Sequence, residues 1–353
     1  MKLPRRNFLH LAAGAAALPV MPRLAWAQAY PTRPLRWIVG FPPGGGADTV
    51  VRIAGQWLSD RLGQPVIIEN KPGGGTNISV QAVVNSPPDG YTLLLVGSPA
   101  ATNAALYPSL PFNFLRDIAP VAGLVWYPMV LEAHPSVPAT VAELIARAKA
   151  NPGKITMASA GTGTPSHVAG ELLKMMTGVN MVHVPYRGSA PMVADLLSGH
   201  VQVAFDTMTA SLPHIRSGAL RALAVAGKTR FAGLPDVPTV SDVVPGFEAS
   251  AWQGVGVPRV TPDEIIERLN REINDGLANP VIKARLADAA ATQIGRLGTL
   301  ENSSCIDVSV AIDIGDVGSV AHQATSLDLD AGHPICLAAS DGRHGRQSGY
   351  AGW

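Results

Sequence analysis

The composition excludes several classes of protein. The chain has 353 residues, of which 47% are hydrophobic and 15% charged, and its formal net charge is +1. A chain of this length can bury a sizeable core and build two domains. Lys and Arg (27) nearly balance Asp and Glu (26), and no basic cluster occurs, so a nucleic-acid-binding surface is not expected. No uncharged apolar run reaches the roughly 18 residues that span a bilayer.

The first 27 residues have the features of an export signal. A basic segment at residues 2–6 precedes an apolar stretch at 9–20, and residues 25–27 (Ala-Trp-Ala) fit the small-residue cleavage pattern. We therefore expect export, with cleavage after Ala27. The paired arginines at positions 5 and 6 also fit the twin-arginine pattern, but such pairs occur in ordinary signals as well, so both export routes remain open.

Strands and helices alternate after the signal. The strands are apolar on both faces and each is followed by a turn and an amphipathic segment, which predicts an α/β fold with a parallel sheet covered on both sides. The predicted strands lie at 35–41, 66–69 and 91–96, and the predicted helices at 48–62 and 78–85.

The same alternation restarts at residue 141, which predicts a second domain. Predicted helices lie at 141–150, 165–176 and 190–197, and predicted strands at 155–158, 181–184, 201–205 and 220–225. Extended stretches at 121–133 and 247–257 lie where the chain would cross between the domains and back. Two crossings predict a two-strand hinge, with 28–126 and 248–292 in domain 1 and 127–247 in domain 2.

Two glycine-rich turns, at 43–49 and 159–166, are candidates for binding an anion. Each connects a strand to a helix, where free N–H groups and the helix dipole favour negative charge. Gly44-x-Gly46-x-x-Thr49 lacks the third glycine of the dinucleotide motif, and neither turn has the Gly-Lys-Ser/Thr of a phosphate loop. Without Lys or Arg in the turns, a carboxylate is favoured, although either turn could be a simple connection.

Candidate catalytic groups are few. No Gly-x-Ser-x-Gly or His-Glu-x-x-His motif occurs, and both cysteines lie near the C-terminus, so no nucleophile, metal site or cofactor is predicted. His167 could cap a helix or act as a base, and Asp206 could face a ligand at the sheet edge or cap the next helix. A cleft hydrolase or lyase that uses His167 with Asp206 or Asp48 is the alternative to a binding protein.

Several ordered motifs resemble the Bug-type solute receptors. These motifs are VGFPPGGGAD at 39–48, ENKPGGGTNI at 69–78, PPDGYTLL at 87–94, PYRG at 185–188 and LPDVPT at 234–239. Bug-type receptors are the extracytoplasmic substrate-binding proteins of tripartite tricarboxylate transporters. The resemblance implies a type II two-domain periplasmic-binding-protein fold, a periplasmic location, and delivery of a small carboxylate to membrane permease subunits without enzymatic activity. We expect a monomer; a sensor that serves a signalling partner remains the alternative.

The resemblance also assigns ligand contacts, in which the two glycine turns grip one carboxylate from opposite sides, partly through water. The first turn would contribute Phe41, Gly44, Gly45, Gly46 and Asp48, the second Ser159, Ala160, Gly161, Thr162, Gly163 and His167, and the rest of the cleft Ser98, Thr102, Tyr186 and Asp206.

The resemblance ends at about Ala291. Residues 293–353 match none of the closing strand and helix of the family, contain no Lys and hold both cysteines. This atypical tail favours a shifted reading frame from about Thr292, with a divergent extension as the alternative.

Overall fold

The computed structural model describes residues 30–293. The predicted export signal and residues 294–353 of the predicted tail lie outside this range. Within it, no helix has the length and apolar character needed to cross a membrane.

Ten strands and ten α-helices occur in the described range, most of them within two residues of the positions predicted from the sequence. The strands are β1 (Leu35–Val39), β2 (Val66–Asn70), β3 (Thr92–Gly97), β4 (Ile118–Ala133), β5 (Thr156–Ser159), β6 (Val182–Pro185), β7 (Val203–Thr207), β8 (Arg221–Val225), β9 (Ser250–Pro258) and β10 (Thr292–Gln293). The helices are α1 (Gly46–Leu62), α2 (Asn77–Val84), α3 (Pro99–Leu106), α4 (Phe114–Asp117), α5 (Val141–Ala150), α6 (Pro165–Thr177), α7 (Ser189–Leu197), α8 (Met208–Arg216), α9 (Asp263–Ala278) and α10 (Pro280–Asp288). Short 3-10 turns lie at Gly74–Thr76 and Val240–Asp242.

The strands pair in the order β2-β1-β3-β9-β4-β7-β5-β6, with β8 and β10 also paired to β4. Strand β4 is 16 residues long and belongs to both halves of this arrangement. Its first part, Ile118–Pro128, pairs with β9, and its second part, Met129–Ala133, pairs with β7 and β8. We call β1, β2, β3, β9 and their helices the first lobe, and β5–β8 and their helices the second lobe.

The two lobes are joined where β4 and β9 run side by side. Trp126 lies opposite Trp252, and Pro128 lies opposite Ser250. The chain returning from β8 reaches the same level, because the Ala226 N–H donates to the Met129 carbonyl and the Ala249 N–H donates to the Ala226 carbonyl. The two extended crossings predicted from the sequence therefore lie next to each other.

The prediction of a parallel sheet is only partly right. Within the lobes β1 is parallel to β2 and β3, and β5 is parallel to β6 and β7. The crossing strands are antiparallel: β9 pairs antiparallel with β3 and β4, and β4 pairs antiparallel with β7. The sheet is mixed because a strand that returns from the second lobe enters the first lobe in the opposite direction.

Parallel pairing places the carboxyl ends of the strands at one edge of each lobe. Leu35, Trp37 and Val39 of β1 are fully buried, as is β3 at Leu93 and Leu94, so helices cover both faces of the first lobe. In such sheets the turns after the strands meet at one edge. The glycine turns after β1 and β5 therefore face each other across the crossing strands.

Candidate functional site

A small cavity lies between the N-termini of α1 and α6. It has a volume of about 60 Å³, room for about four to six water-sized groups. We call it the helix-terminus cavity. Its lining comes from the first turn (Phe41, Pro42, Gly45, Gly46, Ala47), the second turn (Ala160, Thr164, Pro165, Ser166), strand β3 and its end (Leu95, Val96, Gly97, Pro99), the crossing strands (Tyr127, Met129, Ala251, Trp252, Gln253), and Ser189, Asp206 and Thr207.

The two helices whose N-termini lie at this cavity favour a negatively charged group there. Helix α1 begins at Gly46 and has 17 residues, and α6 begins at Pro165 and has 13. The first N–H groups of a helix have no acceptor in a preceding turn, and the helix dipole places partial positive charge there. Asp206 is the one acidic residue, and no Lys or Arg occurs, among the described residues that line the cavity.

Glycine is required at two positions where the turns make close contacts. A Cβ on Gly46 would lie 2.8 Å from Thr207 Oγ1, so this residue lets the first lobe touch the second. Gly161 has a φ of +134°, and a Cβ there would lie 3.0 Å from the Tyr186 carbonyl oxygen. Side chains rarely adopt the backbone conformation of Gly161, so the second turn depends on glycine for its shape, whereas the first depends on glycine at position 46 for its close contact.

The first turn is held by a charged network. Asp48 is 3% exposed, and its carboxylate accepts from the Gly44 N–H, from Asn70 Nδ2 and from the guanidinium of Arg52, at 2.8–3.0 Å. Asn70 also donates to the Phe41 carbonyl at 2.9 Å. Burial favours the neutral acid, but the three donors outweigh burial, so the pKa of Asp48 lies below its usual value.

The second turn is held by hydroxyl groups and an imidazole. Ser159 Oγ accepts the Gly161 N–H at 3.2 Å and lies 2.6 Å from His183 Nε2. Because Ser159 already accepts one hydrogen bond, its own proton can go to His183, which requires a neutral ring with its lone pair on Nε2. Ser166 Oγ accepts the Ala160 N–H at 2.8 Å.

His167 supports the second turn from behind. Its Nδ1 accepts the Gly163 N–H at 3.2 Å, and its ring stacks on His183 with centroids 4.3 Å apart. Burial, with a smaller contribution from nearby Lys174, lowers the pKa of His167. Burial, followed by the charge of His167, lowers the pKa of His183 to about 4. Both rings are therefore neutral at pH 7.

His167, Glu171 and His183 also have the spacing of a possible metal site. Their candidate ligand atoms lie within 4.8 Å of one another. However, neutral His167 accepts a hydrogen bond from the Gly163 N–H at Nδ1 and so carries its own proton on Nε2, which leaves no lone pair for a metal. Lys174 Nζ donates a hydrogen bond to the Glu171 carboxylate at 2.9 Å and forms an ion pair with it. The cluster is better described as a hydrogen-bonded support for the turn.

Asp206 is the buried carboxyl of the cavity. It is 2% exposed, and its Oδ1 accepts from Ser189 Oγ at 2.6 Å and from the Thr207 N–H at 2.7 Å. Burial raises the pKa of Asp206 to about 6 against the lowering effects of Ser189 and of both the backbone and the side chain of Thr207. Asp206 thus faces the cavity and also hydrogen-bonds at the start of α8, so both roles considered for it from the sequence have a structural basis.

A second cavity of about 180 Å³ lies beside the first. We call it the glycine-loop cavity, because the loop after β2 forms one wall. Phe41, Ala160 and Thr164 line both cavities, and Tyr186 and Arg187 line the second one. The lobes also touch at the wall of this second cavity, since a Cβ on Gly75 would lie 2.5 Å from the Thr162 carbonyl oxygen.

The residues assigned by resemblance fall into three groups. The helix-terminus cavity is lined by Phe41, Gly45, Gly46, Ala160 and Asp206, and the glycine-loop cavity by Phe41, Ala160, Gly161, Thr162 and Tyr186. Neither cavity is lined by Gly44, Asp48, Ser98, Thr102, Ser159, Gly163 or His167. Most of this last group supports the two turns, as described above. Ser98 and Thr102 lie in the first turn of α3, where Thr102 Oγ1 donates to the Ser98 carbonyl at 3.2 Å.

Several lining residues were not predicted. Tyr127 and Gln253 come from the crossing strands, and the Tyr127 hydroxyl donates to the Gln253 side-chain oxygen. Nothing local in the sequence distinguishes them from other buried residues, since only the pairing of β4 with β9 brings them together. Ser189 follows Gly188 at a further strand–turn–helix junction, and this pattern could have identified it.

Comparison with known proteins identifies relatives over most of the chain. The family described as tripartite tricarboxylate transporter family receptor (TctC) matches residues 50–294. Protein BugT of Bordetella pertussis is 40% identical over 290 residues, which cover 81% of this chain and 87% of BugT. A UPF0065 protein encoded in the tcbD-tcbE intergenic region of Pseudomonas sp. (strain P51) is 40% identical over 260 residues, covering 72% of this chain and 76% of that protein.

Solved structures show the same fold. An R. palustris protein solved with adipate is 34% identical with a TM-score of 0.75, covering 78% of this chain and 92% of its own. MatC from Rhodopseudomonas palustris, with bound malate, is 32% identical with a TM-score of 0.71, and the match covers 74% of this chain and 90% of MatC. The periplasmic binding protein BugD is 34% identical with a TM-score of 0.72, and the match covers 75% of this chain and 89% of BugD. The predicted α/β periplasmic-binding-protein fold is confirmed.

Proposed function

Because the chain belongs to the tripartite tricarboxylate transporter receptor family, we propose that it captures a small carboxylate in the helix-terminus cavity and delivers it to membrane permease subunits. The family consists of periplasmic solute-binding receptors rather than enzymes. The alternative of a cleft hydrolase loses support, because His167 does not line the cavity that Asp206 lines.

The observation that carries the carboxylate assignment is the meeting of two helix N-termini at one cavity without a cation in its described lining. Backbone N–H groups and helix dipoles suit a singly charged carboxylate better than a phosphate, which usually recruits Lys or Arg. The adipate and malate bound to the two R. palustris relatives support the same ligand class.

The ligand contacts form two sets in this proposal. Gly45, Gly46 and Ala160 approach the carboxylate through the backbone, while Asp48, Ser159 and His167 hold the turns in place. Phe41, Thr162 and Tyr186 extend the site toward the glycine-loop cavity, which would take the rest of the ligand. The mature receptor would act as a monomer after cleavage at Ala27, with domain 1 at 28–126 and 248–292 and domain 2 at 127–247.

A binding screen tests the proposal. Mono-, di- and tricarboxylates are added to the purified protein at pH 6, and thermal unfolding is followed; the amide of each acid serves as the matched control. A ligand present at 100 times its dissociation constant should add about 2.7 kcal/mol to stability. Mass spectrometry should recover the ligand unchanged. Stabilisation by the amides equal to that by the acids, or by no compound of the series, would contradict the proposal.

A further inference from the structure

We propose that Asp206 takes part in binding as a neutral acid, donating its carboxyl proton to a carboxylate oxygen of the ligand. This inference rests on the proposed function, and it names a side chain that meets the ligand's charge beside the helix N-termini. Uptake of the ligand is then coupled to uptake of a proton.

The hydrogen bonds of Asp206 place that proton. Oδ1 accepts from both Ser189 and the Thr207 backbone, whereas Oδ2 is buried and has no hydrogen-bond partner in the described part of the chain. A buried carboxylate oxygen without a partner is costly, and a proton on Oδ2 converts it into a donor. Since Asp206 lines the helix-terminus cavity, a ligand there can supply the acceptor.

A second buried carboxyl lies beside Asp206 and disfavours its ionised form. Asp206 pairs with Val130 across the sheet, so Glu132, two residues further along β4, lies on the same face. Glu132 is fully buried, and neither of its carboxyl oxygens has a hydrogen-bond partner among the described residues. Burial, and then the charge of Asp206, raises the pKa of Glu132. Two adjacent buried carboxyls cannot both be ionised without a cation.

Among the residues that the structure describes, the groups found close to this pair include no cation. They are Ser189 from α7 and Thr207 and Ser211 from the β7–α8 segment. Ser211 lies close to Glu132 without meeting the geometry of a hydrogen bond. Arg52 of α1 is already paired with Asp48. Protonation of the carboxyls, rather than pairing with a cation, therefore relieves the repulsion between Asp206 and Glu132.

The charge of the ligand makes this proton functional. A carboxylate placed beside ionised Asp206 is repelled, whereas beside the neutral acid it accepts a short charge-assisted hydrogen bond. Because the pKa of free Asp206 is raised to about 6, affinity should be highest at or below pH 6 and should fall as the pH rises. The limiting slope is about tenfold per pH unit, or about 50-fold between pH 6 and pH 8.

Calorimetry with simple acids tests the inference. The probes are mono- and dicarboxylates from acetate to adipate, because none of them carries a hydroxyl or amino group that could donate to Asp206. For the tightest binder, the dissociation constant should rise about 50-fold between pH 6 and pH 8. Titrations at pH 7.5 in two buffers of different ionisation enthalpy should show uptake of close to one proton per ligand.

Two variants assign the proton to Asp206. Asp206→Asn places an amide that does not titrate at the same position, so its affinity, whatever its value at pH 6, should not change between pH 6 and pH 8. Ser189→Ala removes one donor to Oδ1, which should raise the pKa of Asp206 and move the fall in affinity to higher pH.

The sign of the pH dependence decides the outcome. Wild-type affinity that is constant or increases with pH would overturn the inference, since binding would then not require a proton on Asp206. The same holds if no proton is taken up by the wild type, a measurement that does not depend on the folding of any variant. Binding of no carboxylate at any pH would instead refute the proposed function.

Discussion

The two glycine turns present the same backbone geometry to the cavity but are held by different chemistry. Behind the first turn, the Asp48 carboxylate joins Gly44, Arg52 and Asn70 through charged hydrogen bonds. Behind the second turn, hydroxyl groups and neutral imidazoles form the supporting contacts, and Ser159 is hydrogen-bonded to His183. In the proposed site the backbone of both turns approaches the ligand, while the side chains of Asp48 and Ser159 support the turns through different hydrogen bonds.

This difference also affects the electrostatics of the two helix ends. Helix α1 carries Asp48 in its first turn, whereas the first turn of α6 contains no acidic residue. An acidic group at a helix N-terminus offsets part of the helix dipole, although Arg52 compensates Asp48 here. We therefore expect the N-terminus of α6 to attract the ligand more strongly than that of α1.

The largest effect is expected where the first turn touches the second lobe. Gly46→Val would place side-chain atoms against Thr207 and prevent the lobes from closing on a ligand. Binding should weaken more than about 100-fold, about 2.7 kcal/mol, while the unliganded protein still folds because the lobes can separate. Calorimetry with a carboxylate from the screen and circular dichroism provide the two readouts.

The neighbouring glycine is the matched control. A Cβ on Gly45 would lie 3.8 Å from the Ser189 Cβ, which is an ordinary contact. Gly45→Ala should therefore cost less than about fivefold in affinity, about 1 kcal/mol. Equal losses in Gly45→Ala and Gly46→Val would show that glycine flexibility, rather than the contact between lobes, controls binding.

The next prediction compares the loss of stability on removing buried Asp48 with the loss on removing its exposed partner Arg52. Asp48→Ala leaves the Gly44 N–H, Asn70 and Arg52 without their common acceptor, and should lower the free energy of unfolding by about 2.5 kcal/mol. Arg52 has a side chain that is 51% exposed, so Arg52→Ala should cost about 1 kcal/mol or less. Urea denaturation at pH 7 measures both. Similar losses would mean that the ion pair, and not the turn, provides the stability.

Local patterns predicted most of the elements and the two turns, but not their assembly. Helix α5 lies at 141–150 as predicted, because its apolar spacing and cap are local features. The antiparallel pairing of β4 with β9 depends on contacts more than 100 residues apart, such as Trp126 with Trp252, and periodicity contains no information on register at that distance. Tyr127 and Gln253 were missed for the same reason.

The sequence also could not separate ligand contacts from supports. Asp48 lies in a motif that resembles the family and His167 follows the second glycine turn, yet the side chains of both accept hydrogen bonds from the backbone of their own turns. Their distance from the cavity is set by how each helix packs, which a motif does not encode. In contrast, the position of Asp206 at the end of a strand, where α/β folds bind ligands, reduced its expected role to two alternatives: facing a ligand or capping the next helix.

The smallest expected effect is the response of the two supports to acid. His183 is protonated near pH 6.5 in the unfolded chain but only near pH 4 in the folded protein, so the unfolded state binds more protons between these values. Its contribution to stability is complete above pH 6.5 and is lost as the pH falls toward 4. After allowance for the half-buried ring, this loss should be about 2 kcal/mol. Asp48, with a lowered pKa, should lose its contribution only below its usual value of 3.8.

Acid should therefore loosen the second turn before the first. Urea denaturation at pH 7, 5.5 and 4 should show that His183→Gln, which stays neutral, loses about 2 kcal/mol less than the wild type over this range, since the other titrating groups are common to both proteins. Asp48→Asn should follow the wild type down to pH 4 and differ from it only at lower pH. If Asp48→Asn instead flattens the dependence between pH 7 and pH 4 while His183→Gln leaves it unchanged, the assignment of the two supports is reversed, and the charged turn is the acid-sensitive one.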